Sequence, residues 1–285
     1  MRELRIATRG SALALAQARF VAARLEEAHP GLSTELVTIS TLGDRDRTSP
    51  VTALTETGAF VRAVQQAVLA GEADVAVHSC KDLPVAGPPG LAVWYPAREA
   101  PWDVLVGADL AELAVAAVVG TGSPRRAAQL SLLRPDLEIR GIRGNVDTRL
   151  SAVAEGRFRA AVLAEAGLRR LGRTSEIARR FEIEEMVPAP GQGALAVEAP
   201  ADGPVAELLD VLDDPATRRA VETERALLAR TGAGCRSALG AHASPTADGV
   251  TLVAFVQDER GARRATVDGA DPEEAVTAMI TELGL

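Results

Sequence analysis

The sequence predicts an α/β fold in which short apolar strands alternate with amphipathic helices. Two observations carry that expectation. Apolar runs repeatedly pass through a Gly- or Ser-bearing turn into a stretch of helical period, the order that builds parallel-rich sheets. The chain also has 285 residues with 47% hydrophobic side chains, more than one core ordinarily serves, so two or three domains are expected.

Taken in order, Leu4 to Ala7 reads as a buried strand, Thr8-Arg9-Gly10-Ser11 as its turn, and Ala12 to Glu27 as a long helix. Glu35 to Thr41 gives a second strand, Phe60 to Leu69 an amphipathic helix, and Asp74 to His78 a third strand that opens into Ser79-Cys80-Lys81-Asp82-Leu83-Pro84. After Pro96 to Pro101 the pattern restarts. Val115 to Val119 is read as a strand, Gly120-Thr121-Gly122-Ser123-Pro124 as a turn, and Arg125 to Leu133 as a helix. Glu138 to Ile142, Arg143-Gly144-Asn145 and Val146 to Ala154 repeat the unit, and Ala160 to Ala164 adds a strand. The turn-rich Pro188-Ala189-Pro190-Gly191-Gln192-Gly193 leads to a strand at Ala194 to Glu198, which could return to the first sheet or extend the second. A helix from Thr217 to Arg230 and a strand from Val250 to Gln257 suit a small C-terminal α+β domain. A first α/β domain is expected over 1–97, a second over 98–188 and a third domain over 213–285.

Composition narrows the function. With 31 basic and 39 acidic residues the formal net charge is -8, and aromatics are 3%, which argues against nucleic acid, anionic lipid or a base-stacking platform as partner. The polar N-terminal segment and the lack of a long apolar run point to a cytoplasmic protein that does not meet the membrane. Two cysteines, Cys80 and Cys235, make no disulfide framework, and His29, His78 and His242 are too scattered for a metal site, so none is expected.

One lysine, Lys81, stands against 30 arginines. It adjoins Asp82 at a strand end, where an ammonium and a carboxylate meet; the pair reads either as a surface ion pair or as reactive groups opening on a crevice. Three strand-to-helix turns also carry cations: Arg9 with Ser11, Ser123 with Arg125 and Arg126, and Arg143 with Asn145 and Arg149. Each could be an ordinary cap with a solvated arginine. Together they predict a ligand with several negative groups, because free helix N-H groups and guanidinium forks both favour carboxylates. Ser123 fits an N-cap and Pro124 the first helical position. No dinucleotide fingerprint or P-loop is present. Cys235 lies in the glycine-lined Thr231-Gly232-Ala233-Gly234-Cys235-Arg236, which suits an inert thiol or a reactive one.

Arg9-Gly10-Ser11 through Gln17, His78 through Pro84, Gly120-Thr121-Gly122-Ser123-Pro124-Arg125-Arg126, Ile142-Arg143-Gly144-Asn145 through Leu150, and Gly234-Cys235 form an ordered set. That set resembles the signature of the porphobilinogen deaminases, also called hydroxymethylbilane synthases, from residue 4 to about residue 240. The resemblance implies two domains like those of periplasmic binding proteins around a cleft, with a third domain carrying a cysteine-bound cofactor, and it implies that 189–212 belongs with 1–97 in the first. It implies a transferase, monomeric, that joins four porphobilinogen units into hydroxymethylbilane with loss of ammonia, in porphyrin and haem biosynthesis. The cofactor implied is dipyrromethane, in thioether linkage to Cys235.

By the same resemblance Asp82 is the catalytic carboxylate, contacting pyrrole N-H groups and stabilising the azafulvene-like cation formed as ammonia leaves. Lys81, Asp82, Thr121, Ser123, Arg125 and Arg126 match cofactor-binding positions. Arg9, Ser11, Gln17, Phe60, Arg143, Arg149 and Arg170 match substrate-binding positions. Each pyrrole brings an acetate and a propionate, which accounts for arginines gathered within an acidic chain. The segment from Gly43 to Phe60 resembles a mobile active-site loop, but Leu54-Thr55-Glu56-Thr57-Gly58 stands where many members have lysines. Asp44 and Phe60 still fit, and Arg45, Arg47 or Arg62 could supply the missing charge. Ala233 replaces a glycine often found before the cysteine. Two other readings rank lower: a non-catalytic polyanion-binding module, and a Schiff-base enzyme using Lys81 with pyridoxal phosphate.

Overall fold

The computed structural model describes residues 3–39, 59–232 and 238–285. They divide into two compact units, Met1–Arg98 with Ala194–Arg218, and Glu99–Gly193 with Arg219–Leu285.

The first unit is an α/β layer. Strands β1 (Leu4–Arg9), β2 (Thr34–Ile39), β3 (Val75–Ser79), β4 (Leu91–Trp94) and β10 (Leu195–Pro200) form one sheet in the order β2-β1-β3-β10-β4. The first three are mutually parallel, as the alternation predicts. The strand after the 188–193 turn returns to this first sheet and runs antiparallel to both β3 and β4. Helix α1 (Ala12–Ala28) buries Ala18, Val21, Ala22 and Leu25, one stripe at helical spacing, against Leu4, Ile6, Val75, Val77, Leu195 and Val197. Helix α2 (Ala59–Leu69) covers the opposite face, where Val64, Ala67 and Val68 meet Ala7 and Ala76. Successive residues of β3 therefore face different helices, the period-two alternation of a strand buried on both sides.

In the second unit, β5 (Asp103–Val106), β6 (Val118–Gly120), β7 (Glu138–Arg140), β8 (Ala160–Ala164) and β9 (Ile177–Arg180) are ordered β7-β6-β8-β5-β9. Here too β7, β6 and β8 are parallel, while β5 runs antiparallel to its neighbours β8 and β9. Helices α3 (Pro124–Leu133), α4 (Val146–Ala154) and α5 (Glu165–Arg170) accompany this sheet. The strand expected at Val115 to Val119 begins three residues later, because Ala116 takes a positive φ of 59° and Val115 is 77% exposed. Strands β5 and β9 had no counterpart in the sequence reading. In the rest of the unit β11 (Ala238–Pro245), β12 (Val250–Asp258) and β13 (Gly261–Gly269) make an antiparallel meander. It packs on α7 (Pro215–Arg230) and α8 (Pro272–Leu283) through Leu227, Leu252, Val276 and Met279. A short helix α6 (Pro204–Leu209) completes the first unit. Val187 joins Val253 and Phe255 in a further apolar cluster, and Gly240 lets its strand approach so closely that a Cβ would lie 2.6 Å from the Val187 carbonyl oxygen.

Gly193 has a φ of +88°, and a Cβ there would stand 2.8 Å from the carbonyl oxygens of both Glu99 and Ala100. Gly193→Ala is expected to lower stability by at least the roughly 1–3 kcal/mol of a strained backbone, read as a fall in the thermal unfolding midpoint. An unchanged midpoint would show that the 188–193 turn can take another path.

Candidate active site

The residues singled out in the first unit cluster at the carboxyl ends of neighbouring parallel strands, the edge where open α/β sheets bind ligands. At the end of β1 the Arg9 guanidinium lies 4.2 Å from the centroid of the Phe60 ring at the start of α2, within cation-π range. Ser11 caps α1, its hydroxyl accepting from Ala14 N at 3.3 Å. At the end of β3, Cys80–Asp82 forms a single 3-10 turn. Cys80 is buried, Lys81 half-buried and Asp82 exposed. The Asp82 carboxylate makes no ion pair with another described residue. Gln17 is buried on α1, and its amide donates to Ser79 Oγ at 2.7 Å. Gln17 thus supports the turn that carries Lys81 and Asp82.

The second unit repeats the arrangement with more cations. Ser123 accepts from Arg126 N at 3.4 Å as the N-cap of α3, with Pro124 in its first turn, and Thr121 is buried with its hydroxyl accepting from Ser123 N. The side chains of Arg125 and Arg126 are buried beneath this turn, 4% and 7% exposed, and they converge on Asp103 of β5. Arg125 Nη1 donates to Asp103 Oδ2 at 2.7 Å and to the Val187 carbonyl at 2.6 Å. Arg126 Nε donates to Asp103 Oδ1 at 2.8 Å, and its Nη1 to the Val162 carbonyl at 3.0 Å. Gln192 adds an amide hydrogen bond to Asp103 Oδ1 at 3.0 Å. Burial pushes the Asp103 carboxyl up, but the charges of Arg125 and Arg126 and the hydrogen bonds of Arg125 and Gln192 outweigh it and hold it well below the usual carboxylate range. Burial also pulls the Arg125 guanidinium below its ordinary value, against the opposing pull of Asp103. Two guanidinium groups share one carboxylate, so the centre keeps an excess positive charge beside a helix N-terminus.

Along the same sheet edge Asn145 caps α4, accepting from Thr148 N at 2.9 Å, and Arg149 Nε donates to the Gly144 carbonyl at 3.0 Å. Arg143 is exposed in that turn. Arg170, at the end of α5, has a side chain only 9% exposed; Nε donates to Glu99 at 2.7 Å and Nη2 to the Gly193 carbonyl at 2.7 Å. Burial lowers its pKa while Glu99 opposes the shift. Cys235, together with Asp44, Arg45 and Arg47 of the expected lid, lies outside the described residues.

Sequence reasoning missed the carboxylates that hold these cations. Asp103 and Glu99 lie at the start of the expected second domain, ahead of the first strand read in it, and were not singled out, although an Asp opening the otherwise apolar Asp103-Val104-Leu105-Val106 was a usable signal of a buried ion pair. No group of three or more His, Cys, Asp or Glu side chains that could hold a metal occurs among the described residues, and no helix there is long and apolar enough to cross a membrane.

Two family models match the chain: the porphobilinogen deaminase dipyrromethane cofactor binding domain over residues 4–207, and the porphobilinogen deaminase C-terminal domain over residues 218–283. Relatives named porphobilinogen deaminase include one from Acidothermus cellulolyticus, 51% identical over 95% of this chain and 85% of its own. Another from Roseiflexus castenholzii is 44% identical over 98% and 95%, and one from Thermobifida fusca 45% identical over 97% and 85%. Among solved structures, a putative methionine-binding lipoprotein from Bacillus subtilis aligns at 9% identity and a TM-score of 0.45, over 76% of this chain and 92% of its own.

Replacing Asp103 by Asn leaves two buried guanidinium groups facing a neutral amide, so Asp103→Asn is expected to lose about 3–5 kcal/mol of stability near neutral pH. Because the folded-state pKa is depressed, the carboxylate's contribution is complete above its unfolded value of about 4 and fades as pH falls below it. Denaturant titrations at pH 7 and pH 3 should therefore show the gap between the parent protein and Asp103→Asn narrowing at the lower pH. An equal gap at both would mean that the charge of Asp103 is not what stabilises the fold.

Proposed function

The chain belongs to the porphobilinogen deaminase family, and from that membership we propose that Asp82 is its catalytic carboxylate. As a porphobilinogen deaminase it acts in tetrapyrrole biosynthesis and carries a dipyrromethane cofactor. Its finer description is a transferase, a hydroxymethylbilane synthase, working as a cytoplasmic monomer of three domains, 1–97 with 189–212, 98–188 and 213–285. The observation that carries the assignment of Asp82 is its setting: an exposed carboxylate without an ion pair to any described residue, beside the chain's single lysine, at the carboxyl end of a central parallel strand.

The residues present suit the cofactor. A dipyrromethane bearing acetate and propionate groups needs several cations, and the excess charge at Arg125 and Arg126, the Ser123-capped helix end and Lys81 supply them, with Thr121 alongside. Cys235 would hold it through a thioether. When bound, the dipyrromethane supplies the pyrrole carbon to which the first porphobilinogen is joined, and it stays with the protein after the product leaves.

Asp82 can accept hydrogen bonds from pyrrole N-H groups and so favour positive charge on the porphobilinogen unit as its C-N bond breaks and ammonia departs. The same carboxylate can then take the proton that the attacking ring carbon loses once the new C-C bond has formed, which restores the aromatic ring. Arg9, Ser11, Gln17, Phe60, Arg143, Arg149 and Arg170 are assigned to the substrate's carboxylates and to their surroundings. Arg9 is steadied by Phe60, and Arg143 stands exposed for binding. Arg170 is already engaged by Glu99 and Gly193, so it serves the substrate from a fixed position. The alternative of a non-catalytic polyanion-binding module is not favoured, because the family members are enzymes.

The denatured protein is expected to exceed its sequence mass by two deaminated porphobilinogen units, and Cys235→Ser to lack that excess; a bare mass that persists after incubation with porphobilinogen would remove the attachment. Asp82→Ala should lose about 10²- to 10⁴-fold in kcat. Arg143→Ala or Arg149→Ala should accumulate partly elongated chains on a folded protein, since each charge-assisted hydrogen bond to a carboxylate is worth about 1.5–3 kcal/mol. Normal turnover with no trapped complexes would argue against their role.

A further inference from the structure

The Cys80–Asp82 turn inherits its position from the last two residues of β3, and both are tied down by polar contacts on opposite faces of the sheet. Ser79 faces α1, where its hydroxyl accepts the Gln17 amide at 2.7 Å. His78 faces α2. Its Nε2 lies 3.1 Å from Glu198 Oε2 of β10, off the axis of a hydrogen bond, with both side chains at most 3% exposed. Gln65 of α2 completes that side, its Nε2 within 3.0 Å of both Glu198 carboxylate oxygens. The pairing of β3 with β10 sets Ser79 opposite Leu195 and His78 opposite Ala196, and the Cys80 amide donates to the Ala194 carbonyl. Apolar side chains at these positions would have filled the same space, whereas a buried carboxylate and two carboxamides need hydrogen-bond partners; these are met by Gln65 and Ser79, and the His78 ring meets Glu198 without an aligned hydrogen bond. Such a network favours one geometry over its neighbours, at some cost in stability.

We propose that Gln17 and Ser79 on one face, with Gln65, Glu198 and His78 on the other, form a two-sided clamp that fixes the direction of the 80–82 turn, making Glu198 a positioning residue for Asp82. The proposal rests on the reading of Asp82 as the catalytic carboxylate. Glu198 does not touch substrate; it acts through His78, four residues before Asp82. A displacement of about 1 Å at a reacting group can cost as much as a hundredfold in rate, so a modest loosening is measurable.

Glu198→Gln keeps the shape of the side chain while removing the charge beside His78, and Ser79→Ala removes only the bond from Gln17. Each is made alone and together with Asp82→Glu, which retains a carboxylate in a shifted position, and kcat and KM are measured per mole of loaded cofactor. With Asp82 in place, kcat is expected to fall about tenfold in Glu198→Gln and severalfold in Ser79→Ala, KM staying within about twofold. On the Asp82→Glu background the same substitutions should change kcat little, because the geometry they protect has already been lost. Equal fold-losses on both backgrounds, or undiminished kcat in both single variants, would overturn the clamp. If Glu198→Gln does not fold, Ser79→Ala decides the matter by the same comparison. Undiminished turnover in Asp82→Ala would instead overturn the assignment of Asp82, and the clamp with it.

Discussion

Burying two guanidinium groups in a chain of net charge -8 requires a carboxylate between them, and Asp103 is that carboxylate. Each of its oxygens takes one arginine, and Gln192 fills a remaining acceptor position, so that the group is satisfied without water. The requirement reaches well beyond the trio. Strand β5 must run between β8 and β9 to present Asp103, the Val162 and Val187 carbonyls must point inward to take the other N-H groups, and the 188–193 turn must bring Gln192 back to the centre. Helix α3, which carries both arginines, is oriented by the same contacts, and its N-terminus is where an anion gains most from the charge left over.

The first unit meets the opposite need. Asp82, the carboxylate proposed for catalysis, stands exposed, and the turn that carries it is supported from below by strands covered on both faces, with polar ties at the end of β3. The cations proposed to meet carboxylates of the ligand are thus held in two ways. Those of the second unit's centre are buried and held by a fixed counter-ion, Asp103. Arg143 stays exposed, and the Arg9 guanidinium lies over the Phe60 ring. Arg170 takes the first form again with Glu99, at a site where Gly193 is required by its positive φ and by the closeness of the Glu99 and Ala100 carbonyls.

What could be read along the chain was whatever one segment specifies within itself. The parallel strands, their capped helices and the cationic turns obey local rules of periodicity and capping, and Ser123, Pro124 and Asn145 take the roles that their side chains suit. The expected strand at Val115 failed on a single residue, Ala116, whose left-handed backbone no side-chain pattern announces. Strands β5 and β9 were missed because they are short and flanked by Pro, Trp or charged residues, and they become strands only by pairing with β8 and with each other.

The sequence by itself determined the family and, with it, the dipyrromethane cofactor, because motifs are contiguous and carry charge, hydrogen-bonding type and turn geometry in a few adjacent positions. Only the tertiary structure decided which groups the buried charged and polar residues rely on. Asp103 lies 22 residues from Arg125, Glu99 lies 71 from Arg170 and Glu198 lies 133 from Gln65. The return of β10 to the first sheet was likewise open until its hydrogen-bonding partners were known. A buried charge needs a partner, but nothing in the local chain says which distant segment will bring it; that is settled when sheet order and register are fixed.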